Sequence, residues 1–329
     1  MSDHKTLISR RNLLVGGIGM YLVTGTAWPA YAGAFPVDIS HAYGVTSVSR
    51  PAHRIVTLGW CGEDAALALG VVPVGMIRYG NFEEGVFPWS RALLRNQKPE
   101  FVDPTPDFEQ IALLKPDLIL CVYSGVNEQD YQRLSAIAPT VPFRSSPWAA
   151  KWQEVTEMTG LALGFKEKAS HLIGKTNRLL NELAASQSVL AGKTFLFGSF
   201  GSGSNELGVY LPTDPRVANL VAMGLRPASI VEKLAEARPE QWSGGLSLEM
   251  AADLDADLLI MWYGNAAIRE SAETNRLFQK IPAFARRSYI ALDEPVAFWA
   301  VSAPTVLSIP YFYPGFARRL AACARLSER

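Results

Sequence analysis

Glu109-Gln-Ile-Ala-Leu-Leu-Lys-Pro-Asp117-Leu-Ile-Leu-Cys-Val-Tyr123 and Glu249-Met-Ala-Ala-Asp-Leu-Asp-Ala-Asp257-Leu-Leu-Ile-Met-Trp-Tyr263 lie 140 residues apart in one chain, with glutamate, aspartate and tyrosine in the same register. Each reads as a short helix opening on a carboxylate, a tight turn, and a buried apolar strand that ends on an aromatic ring. That is the helix-to-strand half of a βαβ unit. A weaker echo links Leu67-Ala-Leu-Gly70-Val-Val-Pro73 to Leu220-Val-Ala-Met-Gly224-Leu-Arg-Pro227. Two echoes predict a duplicated lobe rather than a copied helix, hence an α/β chain of two similar lobes. Ligands of open α/β sheets collect at the carboxyl ends of the strands. The repeat therefore places Tyr123 and Tyr263 on facing walls of one cleft.

Working outward, Val37 to Ser49 alternates on both sides of Gly44 and reads as a β-hairpin. Arg54 to Leu58 is the first core strand, Ala65 to Leu69 a helix stopped by Gly70, and Pro73 to Met76 the next strand. Residues 79–106, rich in Pro, Phe and charge, read as a long surface excursion. After the first repeat copy come a helix from Asn127 to Pro139 and a short strand at Val141. Residues 148–190 carry helical periodicity, broken between Gly160 and Gly164 into two helices, the second the longer. They read as a stiff connector between an N-terminal lobe (35–147) and a C-terminal lobe (191–329). The second lobe offers strands at Lys193 to Phe200 and Tyr289 to Leu292, a helix at Val217 to Met223, and a terminal helix from Ser302 to Leu320.

The first 32 residues read as an address label rather than fold. Lys5, Arg10 and Arg11 precede the apolar run Leu13 to Val23 and the small-residue pattern Ala30-Tyr31-Ala32, the order of a cleaved export signal. Ser9-Arg10-Arg11-Asn12-Leu13-Leu14 resembles a twin-arginine signal. The run falls short of the about 20 apolar residues a membrane span requires, so a soluble periplasmic protein cleaved near Ala32 is expected. Taking Lys5, Arg10, Arg11 and Asp3 from 31 basic and 31 acidic residues leaves 28 and 30. A nearly neutral chain without basic clusters argues against a nucleic-acid partner. Cys61, Cys121 and Cys323 are odd in number and lack CxxC spacing, so neither a disulfide framework nor a zinc site is expected.

Residues 35–325 resemble the periplasmic substrate-binding proteins of iron-siderophore ABC importers, a group that also holds haem- and cobalamin-binding members. The resemblance rests on Arg54-Ile-Val-Thr-Leu-Gly-Trp-Cys-Gly-Glu-Asp-Ala-Ala-Leu-Ala-Leu-Gly70, Phe108-Glu109 with Lys-Pro-Asp117-Leu-Ile-Leu, Leu134-Ser-Ala-Ile-Ala-Pro139-Thr-Val, and Asp214-Pro-Arg216, in that order behind an export signal. It implies two Rossmann-like lobes with mainly parallel sheets, joined by a long α-helix (class III), around a shallow cleft that closes little. It also implies capture of a ferric siderophore by a monomer, without a cofactor, for delivery to an ABC permease. In the family a glutamate on each lobe docks against permease arginines, and the matching positions are Glu109 and Glu249. Guanidinium groups bind carboxylates bidentately, while an acid in a helix's first turn is also favoured by the helix dipole.

The ligand-facing candidates are rings and a cation at predicted strand ends and loops: Trp60, Arg78, Tyr79, Tyr123, Tyr210, Trp242, Trp262, Tyr263, Phe298 and Trp299. Tryptophan and tyrosine give wide, stiff contact area plus a hydrogen-bonding edge. Arg78 would meet the oxygen-rich rim of a chelate, with Arg144, Arg216 and Arg238 in reserve. Trp242, Phe298 and Trp299 match positions where hydroxamate-binding relatives place aromatic contacts. The histidines lie away from the expected cleft, so iron would arrive wrapped by its chelator, with Tyr123, Tyr210 or Tyr263 as the alternative phenolate ligands. Haem or cobalamin transport is the neighbouring alternative. A two-lobed α/β enzyme is the distant one. Its best motif, Gly198-Ser-Phe-Gly201-Ser-Gly203, is neither GxGxxG nor a Walker pattern and leads into a strand rather than a helix.

Overall fold

The computed structural model describes residues 34–328 apart from 202 and 240, so the export segment over residues 1–32 lies outside the described residues. β1 (Val37–His41) and β2 (Gly44–Val48) form the expected antiparallel hairpin. β3 (Ile55–Thr57), α1 (Gly62–Ala68), β4 (Gly75–Ile77), β5 (Glu100–Val102), α2 (Phe108–Leu113), β6 (Leu118–Cys121), α3 (Glu128–Ser135) and β7 (Thr140–Pro142) follow, strand and α-helix alternating except where β5 comes after β4. Their strands make one parallel sheet in the order β5-β4-β3-β6-β7. β3, β4, β6 and β7 are buried at every position, as strands with covered faces must be.

α4 (Trp152–Ala162) and α5 (Lys166–Ser186) lead away from this sheet, with the break at Gly164, φ 73°. The second half holds β8 (Thr194–Phe200), β9 (Glu206–Tyr210), α6 (Pro215–Ala222), β10 (Arg226–Pro227), α7 (Ser229–Ala237) and β11 (Ser243–Ser247). A 3-10 turn at Leu248–Asp253, β12 (Leu258–Trp262), α8 (Ala266–Thr274), α9 (Pro282–Ala285) and β13 (Tyr289–Leu292) complete it. The sheet order is β11-β9-β8-β12-β13, with β10 also on β8. β10 and β12 run parallel to β8, and β13 parallel to β12, whereas β9 and β11 form an antiparallel ribbon.

The repeat has a structural cause. Asp117 opens β6 and accepts the Arg54 N–H at 2.8 Å where β3 begins; Asp257 opens β12 and accepts the Thr194 N–H at 2.8 Å where β8 begins. Each aspartate ties the strand after its helix to the central strand of its sheet. The second echo is equally literal. α1 and α6 run into left-handed glycines, Gly70 (φ 90°) and Gly224 (φ 92°), a conformation that a Cβ resists. β4 and β10 follow them, each parallel to its central strand.

Two expectations need correction. Residues 79–106 are not simply a surface excursion, because they supply β5, and Phe87, Trp89 and Val102 are buried in the core of the first half. Hydrophobic rings interleaved with charge concealed that burial. The terminal helix starts at Ser308 rather than Ser302: α11 runs Ser308–Ala324, and a separate helix, α10 (Pro295–Ser302), precedes it. Pro304 in the link has no N–H to give a helix, and Thr305 restarts one by accepting the N–H groups of Leu307 and Ser308. Ala300 and Ala303 pack in the core of the first half, whereas Tyr313, Phe316 and Leu320 of α11 pack in the second. The chain's last segment therefore grips both halves.

Candidate functional site

The loop after β3 and the loop after β6 close on each other because Gly59 (φ 82°) has no side chain. The Trp60 N–H donates to the Tyr123 carbonyl at 3.0 Å, and a Cβ at residue 59 would overlap that carbonyl. From Trp60 a run of rings crosses the molecule. Trp148 lies 5.0 Å from Trp60, Trp60 lies 5.3 Å from Trp299, Trp299 lies 5.3 Å from Phe298, and Phe298 lies 4.9 Å from Trp262, centroid to centroid. The Trp262 indole N–H then donates to the Tyr210 hydroxyl, and Tyr210 stacks with Trp242 at 6.2 Å. Trp60, Trp148, Trp262, Phe298 and Trp299 are half-buried, and Trp242 is 48% exposed. Tyr123 reaches the crevice between the halves, facing Pro215 and Thr305.

Arg216 is the cation of this wall. It is 8% exposed, with its guanidinium 3.8 Å from the Tyr210 centroid and 5.5 Å from that of Trp242. Asp214 holds it in a two-point pair, Nε to Oδ1 at 2.8 Å and Nη2 to Oδ2 at 2.7 Å. Burial works against the guanidinium's charge, but Asp214's hydrogen bonds and negative charge overcome it and leave the group more firmly protonated than usual. Asp214 also caps α6 by accepting the Arg216 N–H at 2.8 Å. One carboxylate thus fixes both the helix and the arginine.

Behind the wall lies a buried acid pair that the sequence reading passed over. Asp64 accepts from the Trp89 indole at 2.7 Å, the Thr305 hydroxyl at 2.6 Å, and the Ser90 hydroxyl. Burial raises its carboxyl to about 6, against the pull of those donors. Burial and then the charge of Asp64 push Glu63 well above the usual carboxylate range. Among the described residues no lysine, arginine or histidine pairs with either acid. The Trp299 indole N–H is buried and lacks a partner. Only a hydrogen-bond pattern across residues 64, 89, 90 and 305 marks this cluster, and spacing in sequence carries no trace of it.

The sequence candidates divide. Trp60, Tyr123, Tyr210, Trp242, Trp262, Phe298 and Trp299 come together. Tyr79 does not face the cleft: it is 2% exposed, packs under Trp299 at 4.9 Å, accepts the Cys61 N–H at 2.7 Å and donates to Glu63 at 3.2 Å. Tyr263 is not on a wall opposite Tyr123. It is 1% exposed in the core behind the second sheet, where its hydroxyl accepts from Tyr289 at 2.8 Å. Repeat register fixed its backbone, but the antiparallel ribbon β9–β11 has no counterpart in the first sheet, and Tyr210 takes the wall position instead. Arg78 is exposed and lies over Phe101, 5.8 Å from its centroid, rather than along the ring run. Burial raises the hydroxyls of Tyr123, Tyr210 and Tyr263 above the ordinary phenol value. Trp148 was missed, although its loop position after Ser-Ser-Pro is the signal that picked out Trp60 and Trp242.

Glu109 and Glu249 are both exposed at the start of their helical turns, beside the capping residues Asp107 and Ser247. Asp107 accepts the Glu109 N–H at 3.0 Å and Ser247 accepts the Glu249 N–H at 3.2 Å. Both carboxylates therefore project from equivalent points of the duplicated unit.

A family model described as periplasmic binding protein matches residues 55–296. The chain belongs to that family. This binding protein is 31% identical over 227 residues to the probable siderophore-binding lipoprotein YfiY of Bacillus subtilis, covering 67% of each chain. It is 32% identical over 115 residues to the Fe(3+) dicitrate-binding periplasmic protein FecB of Escherichia coli, 34% of this chain and 37% of that one. The structure superposes on that of Streptococcus pneumoniae PiaA in complex with ferrichrome with a TM-score of 0.79 at 28% identity, over 88% of this chain and 99% of PiaA. Two sheets linked by a long helix make the fold that of the class III binding proteins. Among the described residues no helix is long and apolar enough to cross a membrane.

Proposed function

We propose that the protein captures a ferric siderophore against the ring wall and hands it to an ABC permease for iron uptake, without catalysing a reaction. The unbroken run from Trp148 to Trp242 carries this reading. A large chelate with apolar faces needs wide, rigid contact area, and aromatic side chains give it at low entropic cost. The lobes are taken as residues 35–147 and 191–329, with 148–190 as a connector that limits motion between them. Glu109 and Glu249 are the proposed docking points, each an exposed carboxylate suited to a permease guanidinium. Residues 1–32 are taken as a twin-arginine signal cleaved near Ala32, which would release the protein into the periplasm. Names of relatives such as FecB and YfiY support the iron-chelate assignment.

Intrinsic tryptophan fluorescence, titrated with iron-loaded and iron-free siderophores and with haem, tests the proposal. Saturable quenching by iron-loaded chelates is expected. Binding of haem alone would replace the reading with a haem carrier, and absence of binding by every compound would end it.

A further inference from the structure

The charge balance along the wall selects among iron chelates. The guanidinium of Arg216 is the cation in contact with the wall's rings, and Asp214 already occupies two of its nitrogens. Asp214 is 1% exposed, so water does little to loosen the pair. To an approaching ligand the pair presents a dipole rather than a positive charge. Asp64 adds negative character behind Trp299 and has no cationic partner among the described residues. The faces of the rings are themselves electron-rich. Arg78 and Arg238 are exposed, where solvent and salt screen them, and Arg78 is laid over Phe101. Trp299 adds a donor without net charge, its buried, unpartnered indole N–H.

Resting on the siderophore reading above, we infer that the site is built for ferric chelates of zero or positive net charge, the tris-hydroxamate class, and discriminates against polyanionic tris-catecholates and citrates. A tris-catecholate brings three uncompensated negative charges into a site whose own cation is already paired. Such a ligand would lose its hydration without gaining a counter-charge. A neutral hydroxamate complex loses little, and its carbonyl and N–O oxygens accept from indole and guanidinium N–H groups.

Competition titrations with ferrichrome, a ferric tris-catecholate and ferric dicitrate at equal ionic strength test this. The neutral hydroxamate complex is expected to bind at least about tenfold tighter than either anion, equivalent to about 1.4 kcal/mol, with an affinity that barely changes with salt. Asp214→Asn supplies the second arm. Asparagine retains the helix cap but frees the arginine's charge, so the preference is expected to narrow or reverse toward the anions, with a salt dependence that the parent lacks. Equal or tighter binding of the tris-catecholate or citrate complex by the parent protein would overturn the inference while leaving siderophore capture intact. Binding of none of the three would remove the reading on which it rests. An Asp214→Asn variant that folds, binds and keeps the parent's ratio would show that the pair does not set the preference.

Discussion

The rings of Trp60 and Trp299 meet edge to face, their centroids 5.3 Å apart and their planes at 80°. Trp60 sits on the loop behind the central strand of the first sheet, and Trp299 on α10, which follows the last strand of the second. The contact therefore joins the two halves at the floor of the proposed site. Its geometry is the edge-to-face arrangement favoured by ring quadrupoles.

Trp299→Ala and Trp60→Ala should each weaken ferric chelate binding about fivefold or more, since one aromatic contact contributes about 1 kcal/mol beyond its buried area. Calorimetric titration measures this directly. Tyr263→Phe, by contrast, should bind as tightly as the parent, because that hydroxyl is turned into the core toward Tyr289.

Gly59→Ala should act on the same site from the backbone. A methyl group there has no room beside the Tyr123 carbonyl and meets an unfavourable positive φ. The loops carrying Trp60 and Tyr123 must then part. Lower affinity together with a changed near-ultraviolet circular dichroism band from the tryptophans is the expected pair of readouts.

Charge reversal at both Glu109 and Glu249 should leave chelate affinity unchanged, since both side chains are exposed and outside the ring wall. Uptake into cells or vesicles should fall by roughly tenfold or more, from loss of charge-assisted pairs worth about 1.5–3 kcal/mol each. Undiminished uptake by the doubly reversed protein would disconnect these glutamates from docking.

Two aspartates should give opposite pH signatures. Burial works against the charge of Asp257, but hydrogen bonds from the Thr194 N–H and hydroxyl and from Ser327 outweigh it, so its carboxyl lies below the usual range. Its contribution to stability is present above the unfolded carboxylate value and lost as pH falls through the depressed one. Asp64 has the reverse sign. With a folded value of about 6, its contribution is complete below the unfolded value and is lost as pH rises through 6. Asp64→Asn keeps an acceptor for Trp89 and Thr305 and a donor for Ser90, and should flatten the stability profile near that pH. Asp257→Ala should lower stability by about 1–3 kcal/mol at neutral pH and remove part of the acid-side loss. Denaturant unfolding across pH reads both.

Much of the fold was legible because the duplicated pieces have duplicated jobs. Asp117 and Asp257 were in register because each anchors a central strand, and Gly70 and Gly224 because each ends a helix in the left-handed region. The ribbon β9–β11 and helices α7 and α9 have no partner in the first half, so no repeat announced them. At the site, loop tryptophans were readable from their Gly, Ser and charged neighbours. Tyr79 and Tyr263 misled because the end of a strand looks alike in sequence whether its ring turns to the cleft or to the core. The Asp64 cluster and the Asp214–Arg216 pair differ again: the first joins residues far apart in the chain, and the second is a matter of side-chain direction that spacing alone leaves open.

Anomalous diffraction at the iron edge, from crystals grown with an iron-loaded hydroxamate siderophore, tests the central claim most directly. The iron should lie between the Trp60–Trp299 floor and the Tyr210–Trp242 stack, with no protein atom in its coordination sphere. Iron located on any other surface, or bound directly by a side chain, would contradict the account.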